Sequence, residues 1–145
     1  MDRCDADPLM ELKLRRKDWE LMRAHVQASA PLEACGLLAG KNNLVGKVFL
    51  IENQAKSQVR FRMDPKGQLK AFNWIESHEL DLIGIFHSHP AGPETVSMTD
   101  IKEAAYAVTQ IVWSQTSGDW IARGFWIKNR QVEEVEIKVM DDEQP

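Results

Sequence analysis

Cysteine is scarce in this chain, which has only Cys4 and Cys35. Two thiols cannot build the disulfide framework that staples small secreted domains. Cys35 lies in an apolar run and reads as a small buried core residue, whereas Cys4 sits in a polar N-terminal segment. A bridge between them is not expected, and this usage fits a reducing, cytoplasmic location. Long apolar runs are lacking too, so no segment is expected to span a bilayer. Met1-Asp2-Arg3-Cys4-Asp5 is not followed by the apolar stretch of a signal peptide. Nor is there a large excess of one charge. A net charge of −4 supplies no broad basic field, which argues against nucleic-acid binding. The basic cluster of Lys13, Arg15, Arg16 and Lys17 is local and reads as a solvated patch near the first helix. Internal repeats and low-complexity linkers are missing as well. The expectation is one domain over residues 10–140, with a disordered leader at 1–9 and a solvated acidic tail at 141–145.

The 43% apolar and 28% charged fractions suit a globular domain with a sizeable core. Met10–Leu14 alternates and reads as a strand. A helix over Asp18–Ala30 follows, with Trp19, Met22 and Val26 as its buried stripe and Pro31 as its stop. Glu33–Ala39 and Lys47–Glu52 form a hairpin across Gly40-Lys41-Asn42-Asn43, and Val59–Met63 reads as a further strand. Asp64-Pro65 caps and opens a second helix whose inner face is Leu69, Phe72 and Ile75. Leu82–His89 is a buried strand, 91–96 a loop, and Asp100–Tyr106 the start of a third helix. Gln110–Gln115, Trp120–Lys128 and Val132–Met140 complete the sheet, with turns at Gly118-Asp119 and Asn129-Arg130. Phe125 and Trp126 are adjacent on one strand, so one of them is expected at a surface groove. The pattern predicts an α/β fold, a curved mixed sheet packed between helices.

Chemistry concentrates in His87-Ser88-His89-Pro90 and Ser97-Met98-Thr99-Asp100. Residues two apart on a strand share a face, so His87 and His89 present two imidazoles side by side. Asp100 can add a third ligand if the chain turns back after Pro90, and three ligands with one open position is how catalytic zinc is held. Exposed histidines at a strand end, with Ser97 as a plain helix N-cap, would explain the same residues without a metal. Upstream, Glu33 opens an otherwise apolar run. A carboxylate there is costly to bury unless it is paired, hydrogen-bonded or serving as a general base.

Glu33, then His87-x-His89-Pro90, then Ser97-x-x-Asp100, resembles the JAMM motif of the MPN-domain metalloproteases. Pro31-x-Glu33-x-Cys35-Gly36-Leu37-Leu38-x-Gly40, Asn53 and Phe61-Arg62-Met63-Asp64-Pro65 are similar to segments of the minimal prokaryotic members, and the likeness runs from about Leu12 to Val139. The resemblance implies the cytidine-deaminase-like MPN fold. It implies Zn²⁺ held by His87, His89 and Asp100, with Glu33 as general base and Ser97 as donor to the tetrahedral oxyanion. Ser88 points away from the ligands, and His25, His78 and Cys35 are not expected to be ligands.

The family cleaves amide or isopeptide bonds after the C-terminal Gly-Gly of ubiquitin-like proteins. Its eukaryotic chain-specific members carry insertions for which 145 residues leave no room. The implied partner is therefore a ubiquitin-like or sulfur-carrier protein with a C-terminal Gly-Gly, deconjugated or trimmed through a narrow slot. A non-catalytic MPN scaffold would lack ligands that are present here. A RadC-like JAMM domain shares HxHP…SxxD, but usually has Asn between the histidines and Ser-Gly-Asp after the proline, where this chain has Ser88 and Ala91-Gly92-Pro93.

Overall fold

The computed structural model describes residues 11–104, 106–116 and 118–141, so the expected leader and nearly all of the acidic tail lie outside the described residues. Among these residues the order is β1 (Glu11–Arg15), α1 (Arg16–Ser29), β2 (Cys35–Lys41), β3 (Leu44–Ile51), α2 (Pro65–Ser77), β4 (Asp81–His89), α3 (Met98–Glu103), β5 (Thr109–Thr116), β6 (Asp119–Lys128) and β7 (Gln131–Met140).

The strands lie in the order β1-β3-β2-β4-β5-β6-β7, and β7 pairs in parallel with β1, so the mixed sheet curves until it closes into a barrel. Consecutive strands pair antiparallel at β2–β3, β5–β6 and β6–β7, where short turns suffice. The parallel β4–β5 pair needs a crossover, and that crossover carries α3. Closure explains the near-continuous burial of β2 and β4, because these strands are covered on both faces.

Two apolar clusters occupy the two faces. One gathers Met22 and Val26 of α1 with Leu12, Leu14, Leu38, Phe86, Ile111, Trp113 and Trp126. The other gathers Ala71 of α2 with Cys35, Leu37, Ile51, Ile85 and Val108. Ile83 has no partner on β2, where the register shifts between Leu38 and Ala39. This bulge resets the alternation of β4, so Ile85 falls in the α2-side cluster and Phe86 in the α1-side cluster. Gly36 is needed where it stands: a Cβ there would collide with the Phe86 ring and the Phe49 carbonyl.

Several sequence expectations are corrected. Val59–Met63 is not a strand; one bridge, Asn53 to Met63, is all the sheet pairing there, and side-chain hydrogen bonds hold the segment instead. Leu69 is 60% exposed, because the core-facing stripe of α2 is Ala71 and Ile75 with Phe72 half-buried. Trp19 only half-joins the core, tilted on Trp113 at 5.1 Å. The third helix runs Met98–Glu103, two residues earlier than expected, because Ser97 caps it. Phe125 and Trp126 are both buried, at 4% and 0% exposure. Trp126 enters the α1-side core, while Phe125, on the other face, lies under the Arg123 guanidinium, 5.3 Å from its ring.

Candidate metal centre

β4 lies between β2 and β5 and ends on His87-Ser88-His89. His87 stands opposite Cys35 on one side and Val112 on the other, so its imidazole emerges on the α2 face of the sheet, as does that of His89. Asp100 arrives from the first turn of α3. Its Oδ2 accepts the Ser97 N–H at 2.8 Å, and Ser97 Oγ accepts the Asp100 N–H at 3.0 Å. This reciprocal capping box fixes the carboxylate before it meets anything else. The N-cap and ligand readings of Ser97-x-x-Asp100 are thus one arrangement.

The three groups converge closely. The two Nε2 atoms are 3.1 Å apart, and Asp100 Oδ2 is 3.1 Å from that of His87 and 3.2 Å from that of His89. His89 Nδ1 lies 2.9 Å from the Pro93 carbonyl and donates to it, which turns the Nε2 lone pair toward the triangle. Three corners of a tetrahedron with metal–ligand bonds of about 2.0–2.1 Å are about 3.3 Å apart. The observed triangle has that size, and its chemistry, two imidazoles and a carboxylate, suits such an ion. Burial alone would raise the Asp100 carboxyl, but hydrogen bonds and charge from His87 and His89 hold it well below the usual carboxylate range. Burial disfavours the His89 cation, yet the hydrogen bond and charge of Asp100 and the Pro93 carbonyl raise it above its ordinary value.

Glu33 sits just before β2 rather than within it. It is 3% exposed, and its carboxylate lies within 4.8 Å of both imidazoles. Burial pushes it up to about 7, partly opposed by His89 and reinforced by Asp100. It is held through its backbone. The Glu33 N–H donates to the Ser57 carbonyl at 2.8 Å, and its carbonyl accepts Asn53 Nδ2 at 2.9 Å. The next residue, Ala34, donates to Ser88 Oγ at 2.8 Å, and Ser88 N–H returns to the Ala34 carbonyl at 3.0 Å. Ser88, on the face away from the ligands, thereby ties the Glu33 segment to the histidine strand.

Cys35 faces the same side as His87, but its Sγ donates to the Ile51 carbonyl at 3.5 Å and burial pushes it up to about 12. A thiol kept protonated is no metal ligand. Neither His25, half-buried edge-on to Phe86, nor His78, exposed and stacked on Trp74, joins the cluster.

A model of the prokaryotic homologues of the JAB domain matches residues 16–134. The chain belongs to this family. Two curated relatives are similar to it: a desampylase of Pyrococcus furiosus, 46% identical over 77 residues, and a probable TtuB-protein conjugate cleaving protease of Thermus thermophilus, 36% identical over 94. The matches cover 53% and 65% of this chain, and 55% and 64% of the relatives, so little more than half the length of these proteins is spanned. Of the solved structures, one from Desulfitobacterium hafniense has a TM-score of 0.81 and 32% identity, covering 90% of this chain and 94% of the other. A JAB1/MPN domain protein from Archaeoglobus fulgidus has a TM-score of 0.58 at 19% identity, covering 90% and 98%, and shows the shared fold.

Beside the triangle of this JAB-family chain runs a cleft of about 340 Å³. His87 and Asp100 stand at one end, Phe61, Met63 and Ile85 form an apolar wall, and Arg62, Glu103 and Tyr106 lie at the rim. The Phe61 ring stacks on His87 at 4.7 Å. Sequence reasoning gave no role to two residues here, although Asn53 belongs to the family resemblance. Asn53 links four groups: besides Glu33, its Nδ2 donates to the Arg60 carbonyl, and its Oδ1 accepts the Ala55 and Arg62 N–H groups. Gln110 lies buried on the cleft floor. A carboxamide next to the apolar run Ile111-Val112-Trp113 was its one visible signal.

Proposed function

We propose that this chain is a zinc-dependent protease that hydrolyses the peptide or isopeptide bond after the C-terminal Gly-Gly of a ubiquitin-like or sulfur-carrier protein. The observation that carries the reading is the 3.1–3.2 Å triangle of His87, His89 and Asp100 with buried Glu33 beside it. In this reading the triangle holds the ion, and Zn²⁺ bound there supplies Lewis acidity, acidifying water toward pH 7 and polarising a carbonyl. Glu33, with a proton affinity near neutrality, takes a proton from the attacking water and passes it to the leaving amine. Ser97 Oγ is engaged as an acceptor from Asp100 N–H, which leaves its hydroxyl proton free to donate to the oxyanion. Asp100 and the Pro93 carbonyl orient the imidazoles.

The substrate class draws support from the relatives, whose names specify desampylation and cleavage of TtuB–protein conjugates. The cleft favours an extended, slender tail over a folded body. Among the described residues no helix is long and apolar enough to cross a membrane. A cytoplasmic site of action belongs to the same reading and is supported by the free, buried Cys35 thiol.

The test is mass spectrometry of a Gly-Gly carrier–peptide fusion incubated with zinc-loaded protein, alongside metal analysis. About one zinc per chain and a cut after Gly-Gly are expected, with His87→Ala or His89→Ala losing the metal. Wild-type protein that stays metal-free after zinc reconstitution, or that cuts a fusion with a bulky penultimate residue equally well, would sink the reading.

A further inference from the structure

The floor of the cleft carries a nearly buried polar side chain that makes no hydrogen bond within the fold. Gln110 is 7% exposed on β5, lines the cleft with His87 and Asp100, and its carboxamide has no hydrogen-bond partner among the described residues. On the same strand Thr109 Oγ1 and Ser114 Oγ also lack a partner but are sealed from solvent, whereas the Gln110 amide atoms open to the cleft. A carboxamide that no group of the fold engages and that opens only to the cleft is placed to hydrogen-bond a partner entering from outside.

The register says where that partner lies. Gln110 stands opposite Ile85 in the parallel β4–β5 pair, and Ile85 precedes His87 by two residues on the same face. Two residues of strand rise and one interstrand step put the Gln110 and His87 backbones about 8 Å apart. That is one to two peptide units from a bond being cut at the metal. The walls beside Gln110 are apolar (Phe61, Met63, Ile85), so a group lying there is desolvated and its polar atoms need a protein partner. A carboxamide offers both a donor and an acceptor, which matches a peptide group rather than a hydrocarbon or a lone charge.

We propose that Gln110 is a specificity-determining residue whose carboxamide hydrogen-bonds a main-chain amide of the substrate segment in the cleft, one to two residues from the scissile bond. This rests on the proteolytic reading above. Gln110→Leu removes the idle amide at nearly constant volume. Two measurements test the proposal. In metal-free protein, thermal melting of Gln110→Leu should stay within about 3 °C of wild type, because no group of the fold is bonded to the amide. With zinc-loaded protein and carrier–peptide fusions, kcat/KM should fall about 5–20-fold, mostly through KM. Replacing main-chain amides of the substrate one at a time by esters should weaken wild-type cleavage at one position and leave Gln110→Leu indifferent there. A melting temperature lowered by more than about 3 °C, or an ester effect equal in both proteins, overturns the proposal while the protease reading stands. A wild type that cleaves none of the fusions overturns the protease reading, and this role with it.

Discussion

Replacing Glu33 by Gln separates the carboxylate's charge from its shape. In the metal-free protein Glu33 is 3% exposed, and burial raises its proton affinity to about 7 from an ordinary 4.5. The folded state thus binds this proton more tightly than the unfolded state. Stability linked to it is present below the unfolded value and is lost as pH rises through 4.5 to 7. At 1.36 kcal/mol per pH unit, the ionised side chain destabilises the fold by about 3 kcal/mol at pH 8, and by less than about 1 kcal/mol at pH 5. Glu33→Gln stays neutral at both. After chelation, its melting temperature should exceed that of wild type by about 10 °C at pH 8 and by only a few degrees at pH 5. Zinc should shrink the difference, because a cation beside the carboxylate offsets its desolvation. The variant should keep zinc and lose turnover. Equal melting at pH 8, or a gap that widens toward low pH, would refute the reasoning; a variant that turns over normally would remove Glu33 from its role.

Two further outcomes follow from the same contacts. Since Asp100 and the Pro93 carbonyl raise the proton affinity of His89, a metal ion must displace a proton. Zinc affinity measured with a competing chelator should therefore increase with pH through the imidazole range and level off above it. Asn53→Ala removes four hydrogen bonds, one of them to the Glu33 carbonyl, and should lower stability by about 1–3 kcal/mol. It should leave one zinc bound yet cut kcat, because none of the hydrogen bonds that position His87, His89 and Asp100 comes from Asn53; loss of zinc with kcat intact would contradict that division.

Element types were legible from sequence where periodicity was strong. The alternation and apolar runs of β2, β3, β4 and β6 and the Asp64-Pro65 start of α2 were read within a few residues. The candidate site was legible because its chemistry is local in part: His87 and His89 share a strand face by parity alone, and Ser97-x-x-Asp100 marks a capped helix by spacing alone. Three things needed the tertiary structure. Convergence of His87, His89 and Asp100 within hydrogen-bonding range, with Glu33 within 4.8 Å of both imidazoles, depends on how β2, β4 and α3 are placed, which no spacing encodes. The 59–63 segment looked like a strand because Val59 and Phe61 alternate with polar residues, but its backbone groups are taken by Asn53 rather than by a neighbouring strand. The seating of α2 through Ala71 and Ile75 decided that Leu69 stays in the open, and the Arg123 guanidinium over its ring covers Phe125. Sequence alone determines which groups can bind and move protons, because that is a property of residue type. Their distances, their burial and hence their proton affinities belong to the packing of the closed sheet, because desolvation depends on everything that surrounds a group.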